Sequence, residues 1–286
     1  MSIPSATLLM SCPDQKGLVA AVTQFIFQHN GNILHLDQHV DAEAGVFFMR
    51  VEWDMSTFGL GREDIETAFG LNVGKRFNMH WTLSFSDQKP RMALFVSKQS
   101  HCLYDLLSRW QSGDWNVEIP LIVSNHNTLK SVADSFGIPF FAFEINAGNK
   151  SAQEQAQIAL VKEHQIDFIV LARYMQILTE KFIGEFPTRI INIHHSFLPA
   201  FAGAKPYHAA YTRGVKLIGA TSHYVTAELD AGPIIAQDVL PVNHKDSVAD
   251  LVRKGQDVEK LVLAQAVWNH INNRVLVYNN KTVVFG

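Results

Sequence analysis

From Pro90 onward the chain alternates short apolar runs with stretches of helical pattern, and this feature constrains the fold most. The runs predicted to be buried strands are Met92–Val96, Glu118–Val123, Pro139–Phe143, Asp167–Leu171 and Arg189–His194. Helical stretches lie between them, notably Ala152–His164, and a long helix over Asp246–Asn273 precedes a hairpin-like end. Strands that alternate with helices favour a mostly parallel, doubly wound α/β sheet with helices on both faces, which is a Rossmann-like fold.

The first part of the chain has a different pattern. Strand, helix, two strands, helix and strand are predicted over Ala6–Cys12, Gly17–Asn30, Asn32–Val40, Gly45–Trp53, Glu63–Leu71 and Arg76–Phe85. This βαββαβ order predicts one small sheet covered by two helices, which is the ferredoxin-like arrangement. The pattern changes at "SFSDQKP", so we expect two domains, residues 1–85 and residues 86–286.

Composition excludes several function classes. The net charge of −3 over 286 residues argues against a basic surface that binds nucleic acid or membranes. Cys12 and Cys102 are too few for a disulfide framework and lack metal-site spacing, so they fit a reducing compartment. The N-terminal stretch has no signal-peptide pattern, and no apolar run approaches the roughly 20 residues of a membrane helix. The expected location is the cytoplasm.

Polar side chains that handle protons gather where the last of these strands ends. In "RIINIHHSFLPAFAGAKPYH" Asn192 and His194 lie two residues apart, which puts both on one face of a strand. In "IGATSHYVTAELDAGPII" another strand carries His223, and Asp230 follows in a glycine-containing turn, where we expect it to be exposed. Alone, each is usually a satisfied core group or a turn former. Together they offer an oxyanion donor, a proton carrier and a carboxylate.

These two stretches resemble the formyltransferase family that uses 10-formyltetrahydrofolate. The resemblance implies that Asn192, His194 and Asp230 are the catalytic trio, with His223 as a second active-site histidine. "LARYMQIL" resembles the stretch that holds the pteridine ring of folate. The substrate-binding residues that the resemblance implies are Met175, Gln176, Ile177, Leu178, Ser196 and His223. The departure is His195, where many members have proline, and it alters the turn after the trio.

The formyltransferase resemblance covers about residues 90–280, whereas residues 1–85 resemble an ACT domain, a regulatory module that binds an amino acid. "CPDQKGLVAAV" fits its first strand, loop and helix, and "HNGNIL" fits its entry to the second strand. The implied effector pocket consists of Asp14, Gly17, Leu18, Asn30, Gly31, Asn32 and Ile33. In it, glycine N–H groups would bind a carboxylate and polar side chains an ammonium. Glycine and methionine are candidate effectors, and a plain dimerisation module is the alternative.

An ACT-like module before a formyltransferase-like domain points to family members that hydrolyse the formyl group. The expected reaction converts 10-formyltetrahydrofolate to formate and tetrahydrofolate, which supplies formate for purine synthesis and balances the one-carbon folate pool. No metal or other cofactor is implied, and ACT-like modules usually pair, so a homodimer or homotetramer is expected. Relatives that formylate a phosphorylated amine carry a glycine-rich turn that cradles the phosphate. Here "FVSKQSHCLYDLL" has no glycine, although Lys98 can still contribute a charge.

Three alternatives remain open. The same site could pass the formyl group to an amine acceptor, which would make the protein a transferase. A metal-dependent hydrolase could use His194, His195, His208 and His223, although their spacing fits no zinc signature. A folate sensor without catalysis is the third alternative, and the complete trio argues against it.

Overall fold

The computed structural model describes residues 3–200 and 206–286, so part of the motif after Pro199 lies outside the described residues. The chain divides into two compact units. The first extends to Lys89 and includes Asn273–Tyr278 and Val283–Gly286, and the second contains Pro90–Asn272 and Asn279–Thr282. The predicted division between residues 85 and 86 assigned the whole C-terminal tail to the second domain. Among the described helices, none is long and apolar enough to cross a membrane.

The first unit has the predicted βαββαβ order. Its elements are β1 (Ser5–Pro13), α1 (Leu18–Gln28), β2 (Asn32–Asp41), β3 (Val46–Asp54), α2 (Arg62–Phe69), a π-helical turn (Gly70–Gly74) and β4 (His80–Phe85). The strands form an antiparallel sheet in the order β2-β3-β1-β4. Met10, Trp53 and Phe69 lie in the apolar core that the sheet and helices enclose. The ferredoxin-like prediction is therefore confirmed.

Strand β4 begins later than predicted. The sequence predicts a strand from Arg76, but the strand begins at His80. Asn78 adopts a left-handed backbone conformation with φ 51°, which ends an extended run. Phe77 and Met79 nevertheless reach the core. Phe77 and Met79 alternate with polar residues as in a strand, but they lie in the turn before β4 and are buried from there.

The second unit contains one seven-stranded sheet flanked by helices. Its elements are β5 (Arg91–Val96), α3 (His101–Gln111), β6 (Glu118–Ser124), α4 (Lys130–Ser135), β7 (Phe140–Ala142), α5 (Lys150–Glu163), β8 (Phe168–Ala172), α6 (Glu180–Glu185), β9 (Ile190–His194), α7 (Pro206–Arg213), β10 (Leu217–Tyr224), β11 (Ile234–Pro241) and α8 (Val248–Ile271). The strand order is β11-β10-β9-β8-β5-β6-β7. Strands β5 to β9 pair in parallel, and β10 and β11 are antiparallel. The prediction of a mostly parallel, Rossmann-like sheet is confirmed.

The strand order brings the carboxyl ends of β5, β8 and β9 next to one another. The chain leaves β5 toward β6 and β7 on one side and returns to β8 on the other. Ligands of doubly wound sheets bind outside the carboxyl ends of the strands at such a reversal. Met92, Phe95 and Val170 in these central strands are fully buried, because helices cover both faces. The rigid centre of the sheet therefore carries the loops in which a site is expected.

The C-terminal hairpin is formed as the sequence predicts, by β12 (Val275–Tyr278) and β13 (Lys281–Val284). Within the first unit, Phe285 packs with Leu9 and Phe48 in a small apolar cluster. The face of the first sheet that is turned away from its helices is thereby partly covered.

Candidate active site

The polar residues of β9 and β10 come together through the register of these two strands. The antiparallel pairing sets His223 opposite Asn192 and Thr221 opposite His194. Residues that lie directly opposite one another share a face of the sheet, as do residues two apart on one strand. Asn192 Nδ2 lies 3.3 Å from His223 Nε2. The structure thus gathers three of the four residues that the sequence implicates in catalysis.

Asp230 completes the group from the connection between β10 and β11. Its Oδ2 lies 3.2 Å from His194 Nδ1, and its Oδ1 lies 3.7 Å from His223 Nε2. The backbone of Asp230 is left-handed with φ 54°, a conformation that aspartate tolerates better than most residues. Residues 227–229 of the turn are exposed, but the Asp230 side chain itself is only 14% exposed, so the expectation that Asp230 is exposed is wrong. The carboxylate is turned inward onto the two imidazoles.

Two features hold the Asp230 turn in place. A Cβ atom on Gly232 would lie 1.8 Å from the carbonyl oxygen of Tyr224, so this close approach requires glycine. Asn280 Nδ2 donates a hydrogen bond of 2.8 Å to the carbonyl oxygen of Ala231. The position of the carboxylate is therefore set by contacts of the two residues that directly follow Asp230.

The charge state of Asp230 determines the tautomer of His194. Burial raises the pKa of the Asp230 carboxyl, but the hydrogen bonds and charges of His194 and His223 outweigh burial and hold the pKa below its usual range. The ionised carboxylate can only accept, so His194 Nδ1 donates and the neutral ring keeps its lone pair on Nε2. That Nε2 is buried and has no hydrogen-bond partner within the described part of the chain. It is suited to take or give a proton.

His223 orients the amide of Asn192. His223 Nδ1 lies 2.9 Å from the carbonyl oxygen of Tyr224, which can only accept, so Nδ1 carries the proton. When the ring is neutral, Nε2 has no proton and accepts from Asn192 Nδ2, whereas in the protonated ring Nε2 is directed to Asp230 Oδ1. Asn192 retains a second N–H, which can donate to a substrate oxygen.

Sequence reasoning missed Thr221, whose buried hydroxyl organises the turn after His194. The hydroxyl donates to the carbonyl oxygen of Ser196 and accepts from Leu198 N and Gln237 Nε2, at 2.9, 3.0 and 2.9 Å. Its position two residues before His223, on the same face of the strand, is the signal that could have identified it.

Ser196, predicted to bind substrate, uses its hydroxyl inside the turn. Its Oγ donates a hydrogen bond of 2.8 Å to the carbonyl oxygen of Ala200, and the residue is buried. The side chain therefore stabilises the turn, and its role in substrate binding stays a prediction.

The predicted folate-binding stretch follows β8 and places apolar side chains at the surface. Met175 and Ile177 are 56% and 61% exposed, and Gln176 is partly exposed. Ser97 Oγ accepts a hydrogen bond of 2.9 Å from Met175 N, which fixes the start of the stretch. Exposed apolar side chains beside a crevice suit a flat ring. Leu178 differs, because its side chain packs in the core.

The predicted effector pocket in the first unit is partly engaged by the unit itself. Gly31 N donates to the carbonyl oxygen of Ile26 at 2.9 Å and so caps α1, which removes one of the two glycine N–H groups that the sequence suggested as carboxylate donors. Asn30 Nδ2 donates to the carbonyl oxygen of Thr57, and Leu18 is buried in the core. The remaining predicted residues are the exposed Asp14 and Asn32, the left-handed Gly17 and the partly buried Ile33.

The histidines of the metal-hydrolase alternative do not form a common ligand set. Over residues 3–200 and 206–286, the side chains close enough to share an ion are His101, Cys102 and Glu259. His208 is exposed on α7. The alternative therefore loses its geometric basis.

Comparison with known proteins agrees with this geometry. The Formyl transferase family model matches residues 90–267, and the ACT domain model matches residues 6–54. A curated formyltetrahydrofolate deformylase of Synechocystis sp. is 58% identical over 281 residues, covering 98% of each chain. The chain belongs to the formyltetrahydrofolate deformylase family. Both resemblances stated from the sequence are thereby confirmed.

Solved structures place the chain more closely with deformylases than with transformylases. The crystal structure of a formyltetrahydrofolate deformylase from Pseudomonas syringae pv. tomato has a TM-score of 0.97 and 46% identity, and the match covers 100% of this chain and 96% of that chain. Glycinamide ribonucleotide transformylase 1 from Symbiobacterium toebii has a TM-score of 0.66 and 27% identity, over 72% of this chain and 98% of that chain. The likeness to the deformylase extends over both units.

Proposed function

We propose that this protein hydrolyses 10-formyltetrahydrofolate to formate and tetrahydrofolate. The observation that carries the proposal is the His194–Asp230 pair beside the amide of Asn192, with His194 Nε2 unpartnered among the described residues. A proton carrier, a carboxylate and an oxyanion donor within a few ångströms of one another suit acyl hydrolysis. The full-length likeness to deformylases supports the choice of water as the nucleophile.

We propose one step for each residue of the site. Water attacks the formyl carbon while His194 Nε2 takes one of its protons, and the ionised Asp230 stabilises the imidazolium that forms. Asn192 donates to the formyl oxygen as it becomes tetrahedral. The bond between the formyl carbon and N10 then breaks, and His194 passes the proton to N10. The products are tetrahydrofolate and formic acid, which ionises to formate, and the scheme uses no metal or other cofactor.

The proposal is tested by following formate release from 10-formyltetrahydrofolate with purified protein and no acceptor. Wild-type protein should release formate, and His194→Asn should reduce turnover by about 10² to 10⁴, the usual contribution of a positioned acid–base group. His208→Asn is the matched control, because His208 is exposed on α7. Absence of enzymatic formate release would contradict the proposed function.

The transferase alternative predicts a different response to an acceptor. Its support is the fold shared with transformylases. Under the hydrolase proposal, glycinamide ribonucleotide should neither bind tightly nor accelerate consumption of the formyl donor. Tight calorimetric binding of that nucleotide would favour the transferase.

We also propose a setting for the reaction. The ACT match supports an amino-acid effector bound by the N-terminal unit, with glycine and methionine as candidates. The released formate would supply purine synthesis, and the protein would act in the cytoplasm as a homodimer or homotetramer. Titration of both amino acids during formate release, together with light scattering for the mass in solution, tests the regulatory and oligomeric parts.

A further inference from the structure

A second polar group lies outside the trio, built around the buried Glu259 of α8. The Glu259 cluster consists of Gln99, His101, Arg173, Tyr207 and Glu259. His101 Nε2 lies 2.8 Å from Glu259 Oε2, and the Tyr207 hydroxyl donates to Oε1 at 2.6 Å. Arg173 Nε lies 3.4 Å from Oε2 and donates to Gln99 Oε1 at 2.7 Å. Both carboxylate oxygens are therefore occupied by side chains of the protein.

The cluster lies at the ligand-binding edge of the sheet. His101 begins α3 directly after the β5 turn, and Arg173 follows β8, so both stand at the carboxyl ends of the central strands. The ring of His195 links the cluster to the proposed site, because its centroid lies 5.1 Å from that of His194 and 6.1 Å from that of Tyr207. The cluster is thus one aromatic ring away from the proposed base.

Several features of this cluster lower the stability of the folded protein. Glu259 is 1% exposed and Arg173 is 7% exposed, and buried charges are costly even when they are paired. Arg173 is left-handed with φ 63°, a conformation that is unfavourable for arginine and for most residues other than glycine, asparagine and aspartate. Gly255 lies inside the continuous helix α8, where glycine is unfavourable, and a Cβ there would lie 2.0 Å from the Tyr207 hydroxyl. Buried charges and backbone strain that are found together beside a site indicate a role in function.

The cluster is a poor metal site, although His101, Cys102 and Glu259 lie close together. Burial raises the pKa of the Cys102 thiol far above its usual range, so it offers no thiolate. Burial also raises the pKa of Glu259, but His101, Arg173 and Tyr207 outweigh it and keep the carboxylate ionised. The guanidinium of Arg173 already supplies the positive charge that an ion would bring.

We propose that the Glu259 cluster closes the acceptor side of the crevice, so that water is the nucleophile admitted to the formyl carbon. This inference rests on the proposed hydrolysis and deepens it. An organic amine would need a pocket of its own beside His194, and ligand pockets usually enclose about 300 Å³ or more. The cluster fills this side with groups whose donors and acceptors satisfy one another. Among the described residues, an acceptor that approached His194 through the cluster would have to displace the Arg173–Glu259 ion pair.

The double variant Arg173→Gly/Glu259→Gln opens this side with little strain. Glycine suits the left-handed backbone at residue 173, and removal of the guanidinium leaves a cavity. Glutamine at position 259 keeps a hydrogen-bond acceptor for Tyr207 and leaves no unpaired buried charge. Gln165→Gly is the matched control, because Gln165 is exposed and also left-handed, with φ 49°, in the turn after α5.

The experiment supplies intact protein with 10-formyltetrahydrofolate and glycinamide, a small primary amine, and measures formate and N-formylglycinamide. In transfer, the amine nitrogen bonds to the formyl carbon, the bond from that carbon to N10 breaks, and a proton of the amine passes to N10. Wild type and Gln165→Gly should yield formate alone. The double variant should divert formyl groups to glycinamide, so that N-formylglycinamide rises to about ten times the detection background of the wild-type reaction or more.

A folded double variant with the transferred fraction of wild type would overturn the proposal. So would wild-type protein that formylates glycinamide as readily as the variant does. If thermal unfolding shows that the double variant does not fold, the single variant Glu259→Gln decides, because it removes the charge of the Arg173–Glu259 ion pair and keeps an acceptor for Tyr207. Transfer above wild type supports closure by the cluster, and an unchanged fraction refutes it. If wild type releases no formate, the proposed function is refuted as well. If formate is released but the variant transfers no larger share of formyl groups to glycinamide than wild type does, only this inference is refuted.

Discussion

Replacing Asp230 by asparagine removes one negative charge and almost no volume. Asparagine is among the residues that best tolerate the left-handed backbone found here, φ 54°, so the turn should keep its shape. The amide cannot stabilise an imidazolium on His194 as the carboxylate can, at 3.2 Å from Nδ1. The change therefore isolates the charge of Asp230 from its position.

The structure supports an estimate of the effect. Loss of a positioned acid–base partner should reduce turnover by about 10² to 10⁴. The pKa of Asp230 lies below its usual range in the folded protein. The ionised carboxylate therefore adds stability above about pH 4, and this stability is lost as the pH falls through the pKa that Asp230 has in the folded protein. At neutral pH the variant should thus lose about 1–3 kcal/mol of unfolding free energy, the cost of a charge-assisted hydrogen bond.

The assay follows formate release and urea unfolding for wild type, Asp230→Asn and the control Asp238→Asn. Asp238 is exposed on β11, so its replacement should change neither quantity. Turnover of Asp230→Asn near that of wild type would remove the carboxylate from the mechanism. A fall in stability without a fall in turnover would make Asp230 a structural residue only.

Three further predictions concern the surroundings of the trio. Burial and nearby positive charges lower the pKa of His195 to about 4. The free energy of unfolding should therefore fall as pH drops from about 6.5 toward 4. Between pH 7 and 5, His195→Asn should abolish about 2 kcal/mol of that fall, measured by urea unfolding. A variant with the pH profile of wild type would contradict this. Thr221→Val leaves buried hydrogen-bonding partners unsatisfied, so it should lower the free energy of unfolding by about 1–3 kcal/mol and slow formate release. If neither quantity changes, the role of Thr221 in the turn is refuted. Asn280→Ala loosens the Asp230 turn, so turnover should fall with little change in melting temperature, and the reverse pattern would refute the assignment.

Much of the fold follows from local rules. Five apolar runs predict the parallel strands because burial on both faces requires continuous apolar sequence. The spacing of Asn192 and His194 predicts a shared face because side chains alternate along any strand. The predicted strand from Arg76 is wrong where one residue, Asn78, takes a left-handed conformation that no periodicity reveals.

The assembly of the site depends on long-range pairing, which local pattern does not encode. His223 meets Asn192 only in the observed register of β9 and β10, close to a bulge between Ser222 and His223. The resemblance to a known family, and not the spacing, suggested that these residues act together. The inward turn of Asp230 was missed because an aspartate before glycine usually marks an exposed turn.

The Glu259 cluster could not be predicted from sequence at all. Its glutamate lies 158 residues from His101 and 52 from Tyr207, on a helix whose apolar pattern is ordinary. Gly255 is the one local hint, since a glycine in the middle of a helix needs a packing reason. The partner that gives this reason becomes visible only in the folded chain.

Isotope labelling tests most directly whether water is the nucleophile. Purified protein is given 10-formyltetrahydrofolate in water enriched in ¹⁸O, without any amine, and the formate is examined by mass spectrometry after a short reaction. Hydrolysis places one solvent oxygen on the formyl carbon, so formate should carry a single ¹⁸O and should form in step with tetrahydrofolate. His194→Asn should slow the labelled product to near the rate without enzyme. Formate without label, or disappearance of the formyl donor without formate, would contradict the account.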